Sequence, residues 1–171
     1  MFIVSDADPT GSDLGTYVQT ASSVLAAKNI PTSSPLTIVY GRESAAQAGD
    51  IVIRTDSSAT GHRGGYVLDI SAGGISITAD DAEGVLYALT TLAQTCTSGT
   101  VLKCTTVTDW PDVAERSVYL DCGRIYFAPA TLKALIRTMA WNRMNVLYLD
   151  FSNNNATRFL LDDMDLSLIH I

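Results

Sequence analysis

Short apolar runs separated by turn-forming residues recur through the first hundred positions of the chain. They predict strands at residues 2–4, 36–40, 51–53, 66–70 and 75–78, the last two joined as a hairpin by Gly73-Gly74. Two further stretches repeat apolar residues at helical spacing. One follows Ser12 or Asp13, either of which can cap it, and the other covers about residues 82–95. This order predicts an α+β domain over residues 1–107, a mixed sheet with helices on one face.

The pattern changes after residue 107. Residues 117–120 predict a strand, residues 129–140 an amphipathic helix and residues 146–149 a second strand. Pro129 suits the first turn of that helix, and the near-continuous apolar second strand is typical of a parallel strand buried on both faces. We expect the helix to turn one apolar stripe to the core, formed by Leu132, Leu135, Ile136, Met139 and Ala140. Residues 108–165 are therefore expected to begin a (β/α)8 TIM barrel with its first βαβ part, and a whole barrel needs roughly 250 residues.

The last six residues, 166–171, have the sequence of a translated transposase adapter from sequencing libraries. We expect them to be a sequencing scar, which would carry no information on the fold. A natural apolar strand is the alternative.

Several unrelated residue types stand at fixed offsets around the predicted first barrel strand. They are Asp109 and Pro111, Arg116-Ser117, Leu120-Asp121-Cys122-Gly123-Arg124, Tyr126-Phe127 and Arg143-Met144-Asn145. This combination resembles the start of the catalytic domain of the glycoside hydrolase family 20 β-N-acetylhexosaminidases, a family that includes the lacto-N-biosidases. Residues 80–94 resemble the last helix of the non-catalytic domain that precedes the barrel in the same enzymes. The two resemblances occur in the expected order.

The resemblance implies a glycan or oligosaccharide substrate with terminal β-linked N-acetylhexosamine, or a disaccharide such as lacto-N-biose. It also implies substrate-assisted retaining hydrolysis, in which the acetamido oxygen of the sugar attacks the anomeric carbon and no enzyme nucleophile is needed. The catalytic aspartate–glutamate pair of this family lies on the fourth barrel strand. No catalytic residue is therefore assigned in this chain, which we expect to be inactive alone, and neither a metal nor a cofactor is implied.

For the site, the resemblance assigns Arg116 to the sugar pocket, as a donor to the hydroxyls at C3 and C4. A salt bridge from Arg116 to Glu115 or Asp121 is the alternative that the residues alone favour. Asp121 and Arg124 end the first strand and are expected to form a scaffold for the pocket floor, since buried charges need partners.

The loop after the second strand departs from the family pattern. Asp150, Asn153 and Asn154 stand where many members carry a histidine and two aspartates. Asn153 and Asn154 are candidates for the pocket scaffold because amides can bond to sugar hydroxyls, and ordinary loop residues are the alternative. Without these paired carboxylates the loop lacks the negative charge beside the site that could tune the pKa of a neighbouring group.

Composition narrows the classes of partner. The chain has 171 residues, a formal charge of −7 and only 11 Lys plus Arg without a basic cluster. This argues against nucleic acid or an anionic membrane as partner, because both require concentrated positive charge. No apolar run approaches the roughly 20 residues of a membrane-spanning helix. Residues 1–6 lack the features of a signal peptide, so the compartment stays open, with an extracellular or cell-surface parent protein as the expectation.

The cysteines and histidines give weaker signals. Cys96, Cys104 and Cys122 are odd in number and lack metal-ligand spacing, so we expect buried thiols, with a Cys96–Cys104 bridge left open. His62 lies in a glycine-rich turn and is expected to be a solvated loop residue; His170 is isolated.

Two other functional classes fit the same observations. One is a carbohydrate-binding or adhesion module that kept the α+β domain without a working barrel, for which the asparagine-rich loop is the best support. The other is a different hydrolase family with a similar N-terminal domain. An Asp-Glu dipeptide at the end of a fourth barrel strand would favour the family 20 interpretation over both.

Overall fold

A computed structural model of the chain describes residues 2–4, 15, 18–23, 38–40, 46–47, 50–96, 102–153 and 156–157. The chain divides into two compact units, residues 1–114 and residues 115–171. Within the described residues, no helix combines the length and the hydropathy needed to cross a lipid bilayer.

The first unit is built on a six-stranded mixed sheet. Its strands are β1 (Phe2–Val4), β2 (Ile38–Tyr40), β3 (Ile51–Thr55), β4 (Tyr66–Ser71), β5 (Gly74–Ala79) and β6 (Thr105–Asp109). Their order across the sheet is β2-β1-β3-β5-β4-β6. The pairs β1–β2, β1–β3 and β3–β5 are parallel, whereas β4 is antiparallel to both β5 and β6. The predicted mixed sheet is confirmed.

Two helices join this sheet in one hydrophobic core. Helix α1 contains the described helical residues 18–23, and helix α2 is Ala82–Thr95. Val18 and Ala21 of α1 are buried in the same cluster as the inward side chains of β4 and the apolar face of α2. The α2 face predicted from the sequence is confirmed, since all five of its residues are buried: Val85, Leu86, Leu89, Leu92 and Ala93. The predicted cap at Ser12 or Asp13 lies outside the described residues.

Helix α2 begins at a carboxylate cap. Asp81 Oδ1 accepts the amide of Gly84 at 2.8 Å, and Oδ2 accepts the amide of Gly64 at 2.9 Å. Aspartate at this position satisfies helix amides that have no partner within the helix. Gly84 also allows a close approach of the helix to the sheet, because an added Cβ would overlap the carbonyl oxygen of Gly65 and lie 3.2 Å from the Ala79 Cβ.

The loop between β3 and β4 is held by the neighbouring Asp80. Its carboxylate accepts the amide and the hydroxyl of Thr60 and the amide of Gly61. This loop carries His62, which is exposed as predicted and stacks on Trp110 with ring centroids 4.6 Å apart.

Strand β6 completes the sheet by pairing with β4 from Tyr66↔Asp109 to Ile70↔Thr105. The sequence-based boundary between residues 107 and 108 falls inside this strand. Strand β6 is mostly exposed and carries little apolar pattern, so the sequence gives no sharp signal for its end.

The second unit is a βαβ arrangement. It contains β7 (Ser117–Asp121), α3 (Pro129–Trp141) and β8 (Val146–Asp150), followed by the short antiparallel pair β9 (Ser152–Asn153) and β10 (Ala156–Thr157). Strands β7 and β8 are parallel, in register from Ser117↔Val146 to Asp121↔Asp150. Pro129 is the first residue of α3, as predicted.

Burial in this unit is lower than the sequence predicts. Of the predicted stripe on α3, Met139 and Ala140 are buried, Leu132 and Leu135 are partly buried, and Ile136 is 48% exposed. Strand β8 is half-buried, not buried on both faces as predicted. A parallel strand is buried on both faces only where layers cover both, and the described part of this unit has one helix for two strands.

The three cysteines are free. Cys122 is buried and Cys96 is partly buried, and burial raises the pKa of the Cys96 thiol. The prediction of a buried thiol is wrong for Cys104, which is exposed because it directly precedes the exposed edge strand β6.

Candidate functional site

Polar side chains gather where the parallel strands β7 and β8 end. Asp121 closes β7 and Asp150 closes β8, and the two are Cα partners in the register. The backbone pairing continues one residue further, because the amide of Cys122 donates to the carbonyl oxygen of Asp150 at 2.8 Å. In parallel α/β barrels, the residues that act on a ligand lie at this carboxyl edge.

Asp121 organises the turn that follows β7. Its Oδ1 accepts the amides of Gly123 at 3.0 Å and Arg124 at 3.1 Å, which is an Asx-type turn. Its Oδ2 lies 3.1 Å from Nε of Arg124. The Arg124 side chain is 64% exposed, so the guanidinium is oriented by the carboxylate and still reaches solvent.

Asp150 is also held in place. Its Oδ2 accepts a hydrogen bond from the hydroxyl of Tyr119 at 2.6 Å. This bond is the main cause that raises the pKa of the Tyr119 phenol, with smaller contributions from burial and from the charges of Asp150 and Asp121. The carboxyl edge therefore combines two carboxylates, one guanidinium and one phenol, a set that can donate to and accept from the hydroxyls of a polar ligand.

Arg116 lies at the opposite end of the strand pair. Its amide donates to Asn145 Oδ1 at 2.9 Å, and its carbonyl oxygen accepts the amides of Asn145 and Val146. Its Nε donates to the carbonyl oxygen of Arg143 at 2.6 Å. Five steps of about 3.3 Å along a strand separate Arg116 from Asp121, roughly 16 Å in total.

The structure thus brings together two of the residues predicted from the sequence, Asp121 and Arg124, and does not bring Arg116 to them. Asn153 lies in β9, and its side chain and all of Asn154 are outside the described residues. Sequence reasoning missed Tyr119. The signal that could have found it is the shared Tyr-Leu-Asp ending of β7 and β8, which places a tyrosine and an aspartate on the same face of each strand.

Among the described residues, no group of three or more His, Cys, Asp or Glu is arranged to hold a metal ion.

Comparison with family models covers most of the chain. Residues 9–110 match glycosyl hydrolase family 20, domain 2, and residues 114–166 match the catalytic domain of glycosyl hydrolase family 20. The chain belongs to glycoside hydrolase family 20. Its two units therefore correspond to the family's domain 2 and to the start of its catalytic TIM barrel, in agreement with the prediction.

Individual relatives agree with this family 20 assignment. A β-N-acetylhexosaminidase of Cellulomonas fimi is 34% identical over 97 residues, which is 54% of this chain and 20% of that protein. A Streptomyces plicatus β-hexosaminidase structure in complex with GlcNAc is 26% identical, with a TM-score of 0.68 over 92% of this chain and 31% of its own. A β-N-acetylhexosaminidase structure from Bacteroides fragilis, at 22% identity, shares the fold with a TM-score of 0.73 over 95% of this chain and 30% of its own. The family 20 chain thus spans between a fifth and a third of the length of these relatives.

Proposed function

We propose that the complete protein to which this chain belongs releases terminal β-linked N-acetylhexosamine from glycans by substrate-assisted retaining hydrolysis. The match of residues 114–166 to the family's catalytic domain carries this proposal. The name of the Cellulomonas fimi relative and the GlcNAc bound in the Streptomyces plicatus structure support the substrate class. Lacto-N-biose is a second substrate to test, since the family includes enzymes that release it.

The mechanism proposed for the complete protein needs no enzyme nucleophile. The acetamido oxygen of the sugar attacks the anomeric carbon, and the leaving glycosidic oxygen takes a proton from a general acid. In this family the acid belongs to the fourth barrel strand, whereas the described residues include β7 and β8 as barrel strands. We infer that this chain contributes binding and orientation of the sugar and is inactive alone.

Arg124 is the residue that we propose for the sugar-binding guanidinium. It follows the carboxyl end of β7, its side chain is largely exposed, and Asp121 orients it through Nε. A guanidinium carries five N–H donors, so one contact through Nε leaves donors for neighbouring hydroxyls on a sugar. Asp121 is proposed as the scaffold that fixes Arg124, and Asn153 and Asn154 as further partners from the loop after β8.

Arg116 was the candidate that the family resemblance suggested for this contact. Its position before β7 and its bonds to Arg143 and Asn145 support a different role, which is to fix the amino ends of the two barrel strands. Working residues of barrels cluster at the opposite edge.

The proposal is tested with the complete gene product and a set of 4-nitrophenyl glycosides. We expect hydrolysis of the N-acetyl-β-glucosaminide or N-acetyl-β-galactosaminide, or of the β-lacto-N-bioside, and no hydrolysis of the β-glucoside, which lacks the acetamido group. NMR of the first product should show the β-anomer, and the 171-residue chain should show no turnover. Equal hydrolysis of the plain glucoside would contradict the substrate-assisted route. Sugar binding without any hydrolysis would favour a carbohydrate-binding module.

A further inference from the structure

Two tyrosines lie side by side on the exposed face of the strand pair β7–β8. Tyr119 and Tyr148 are Cα partners, and they are 63% and 48% exposed. Each phenol donates to a carboxylate that belongs to the neighbouring strand or to the residues just before it. Tyr119 donates to Asp150 at the carboxyl edge at 2.6 Å, and Tyr148 donates to Glu115 at the amino edge at 2.8 Å. The two pairs have the same chemistry and lie at opposite ends of the strands.

Asp150 at the carboxyl edge is held at both its backbone and its side chain. The backbone carbonyl accepts the amide of Cys122, and the carboxylate accepts the phenol of Tyr119. An ionised carboxylate can accept several hydrogen bonds at once. Asp150 also stands directly opposite Asp121, which holds Arg124.

We propose that Asp150 accepts a hydrogen bond from a hydroxyl of the terminal sugar and that Tyr119 is the positioning residue that holds Asp150 for this contact. The inference rests on the proposed function. A carboxylate can only accept hydrogen bonds when ionised, so it selects a ligand group that donates, such as a ring hydroxyl. Fixing it in advance lowers the ordering cost of binding. Arg124 donates and Asp150 accepts, so the two side chains together match a hydroxyl-bearing sugar at one edge.

The experiment compares steady-state kinetics of four variants of the complete protein with the wild type. Tyr119→Phe should raise KM about fivefold with kcat changed less than about twofold, because the hydrogen bond that orients Asp150 toward the sugar hydroxyl is lost. Tyr148→Phe is the matched control, since it removes an equivalent bond at the amino edge, and its KM should equal that of the wild type. Asp150→Ala should raise KM about tenfold or more.

The decisive measurement is the KM of the double variant Tyr119→Phe/Asp150→Ala. If Tyr119 acts through Asp150, the double variant should have the same KM as Asp150→Ala alone, so the effects of the two substitutions on KM should be non-additive. Thermal unfolding of each variant checks folding. Should Tyr119→Phe not fold, Asp150→Asn, which keeps an oxygen acceptor for the phenol, should raise KM about fivefold while staying folded.

Two sets of results would overturn the inference. Equal KM changes in Tyr119→Phe and Tyr148→Phe, or a full Tyr119→Phe effect in the Asp150→Ala background, would do so while leaving the proposed function intact. If the wild type neither hydrolyses an N-acetylhexosaminide nor binds N-acetylglucosamine in calorimetry, the proposed function fails and the inference fails with it.

Discussion

Nε of Arg116 donates to the carbonyl oxygen of Arg143 across 2.6 Å, at the amino ends of β7 and β8. Arg143 adopts φ of 57°, in the left-handed region, where a residue other than glycine costs about 1–2 kcal/mol. The hydrogen bond helps to hold Arg143 in this conformation, and Asn145 then pairs with the backbone of Arg116. The contact lies at the amino end of the same strand pair whose register places Asp121 opposite Asp150.

Replacing Arg116 should therefore affect stability more than sugar binding. Arg116→Ala is expected to lower the free energy of unfolding of the complete protein by about 1–3 kcal/mol, because it leaves the Arg143 carbonyl without this donor. Urea denaturation measures the change. Lys133→Ala, on the exposed side of α3, is the control and should stay within about 0.5 kcal/mol of the wild type. Unchanged stability with a raised KM would contradict this role and would instead indicate that Arg116 binds the sugar.

Replacing Arg124 should affect sugar binding and turnover more than stability. Arg124→Ala is expected to reduce kcat/KM by about 10- to 100-fold, the range for losing hydrogen bonds from a charged donor. Stability should fall by less than about 1 kcal/mol, because the ion pair with Asp121 is exposed. Arg124→Lys keeps the charge without the planar fork and should restore only part of the activity. Full activity in Arg124→Ala would show that Arg124 does not bind the sugar.

The packing of α2 on the sheet gives a test within the first unit. Alanine is favoured over glycine in a helix by about 1 kcal/mol, yet Gly84→Ala should destabilise the protein by about 1–3 kcal/mol because the new methyl group overlaps the Gly65 carbonyl. Gly73→Ala is the control, since the nearest atom to its added Cβ is the Ser71 Oγ at 3.8 Å. Calorimetric Tm values of the two variants should differ clearly. A stabilised Gly84→Ala protein would show that the helix can shift at little cost.

The Tyr119–Asp150 hydrogen bond predicts a response to alkaline pH. The pKa of Tyr119 lies above its ordinary value of 10.0, chiefly because the phenol donates to Asp150. The folded protein thus holds this proton more tightly than the unfolded chain does. The contribution to stability is fully present below the unfolded pKa of about 10 and is lost as the pH rises through the higher folded pKa. An ultraviolet titration of the wild type minus Tyr119→Phe should show the phenolate forming above pH 10, and a transition below that pH would contradict the bond.

The sequence predicts best where local signals agree. The helical repeat of apolar residues predicts α2 at about residues 82–95, as the structure has it, and its buried face is confirmed. The prediction is weaker for features that depend on tertiary context. The exposure of Cys104 and the extent of β6 follow from the position of that strand at the sheet edge.

The site shows the same division between local and long-range information. Asp121 and Arg124 are three positions apart, and their pairing within one turn can be anticipated from that spacing. The Tyr119–Asp150 contact joins residues 31 positions apart and depends on the register of β7 and β8. The backbone conformation of Arg143, which gives Arg116 its partner, has no signature in residue types alone.

The order of strands in the first unit has a kinetic consequence. The hairpin β4–β5 joins neighbours in sequence, whereas β1 pairs with β3 across nearly fifty positions. Closing a long loop costs more chain entropy than closing a short one, so local pairs tend to form early. We expect β4, β5 and α2 to assemble first and β1 to dock last. Pulse-labelling hydrogen exchange during refolding should protect the amide of Leu68 before that of Ile3, and the reverse order would refute this sequence of events.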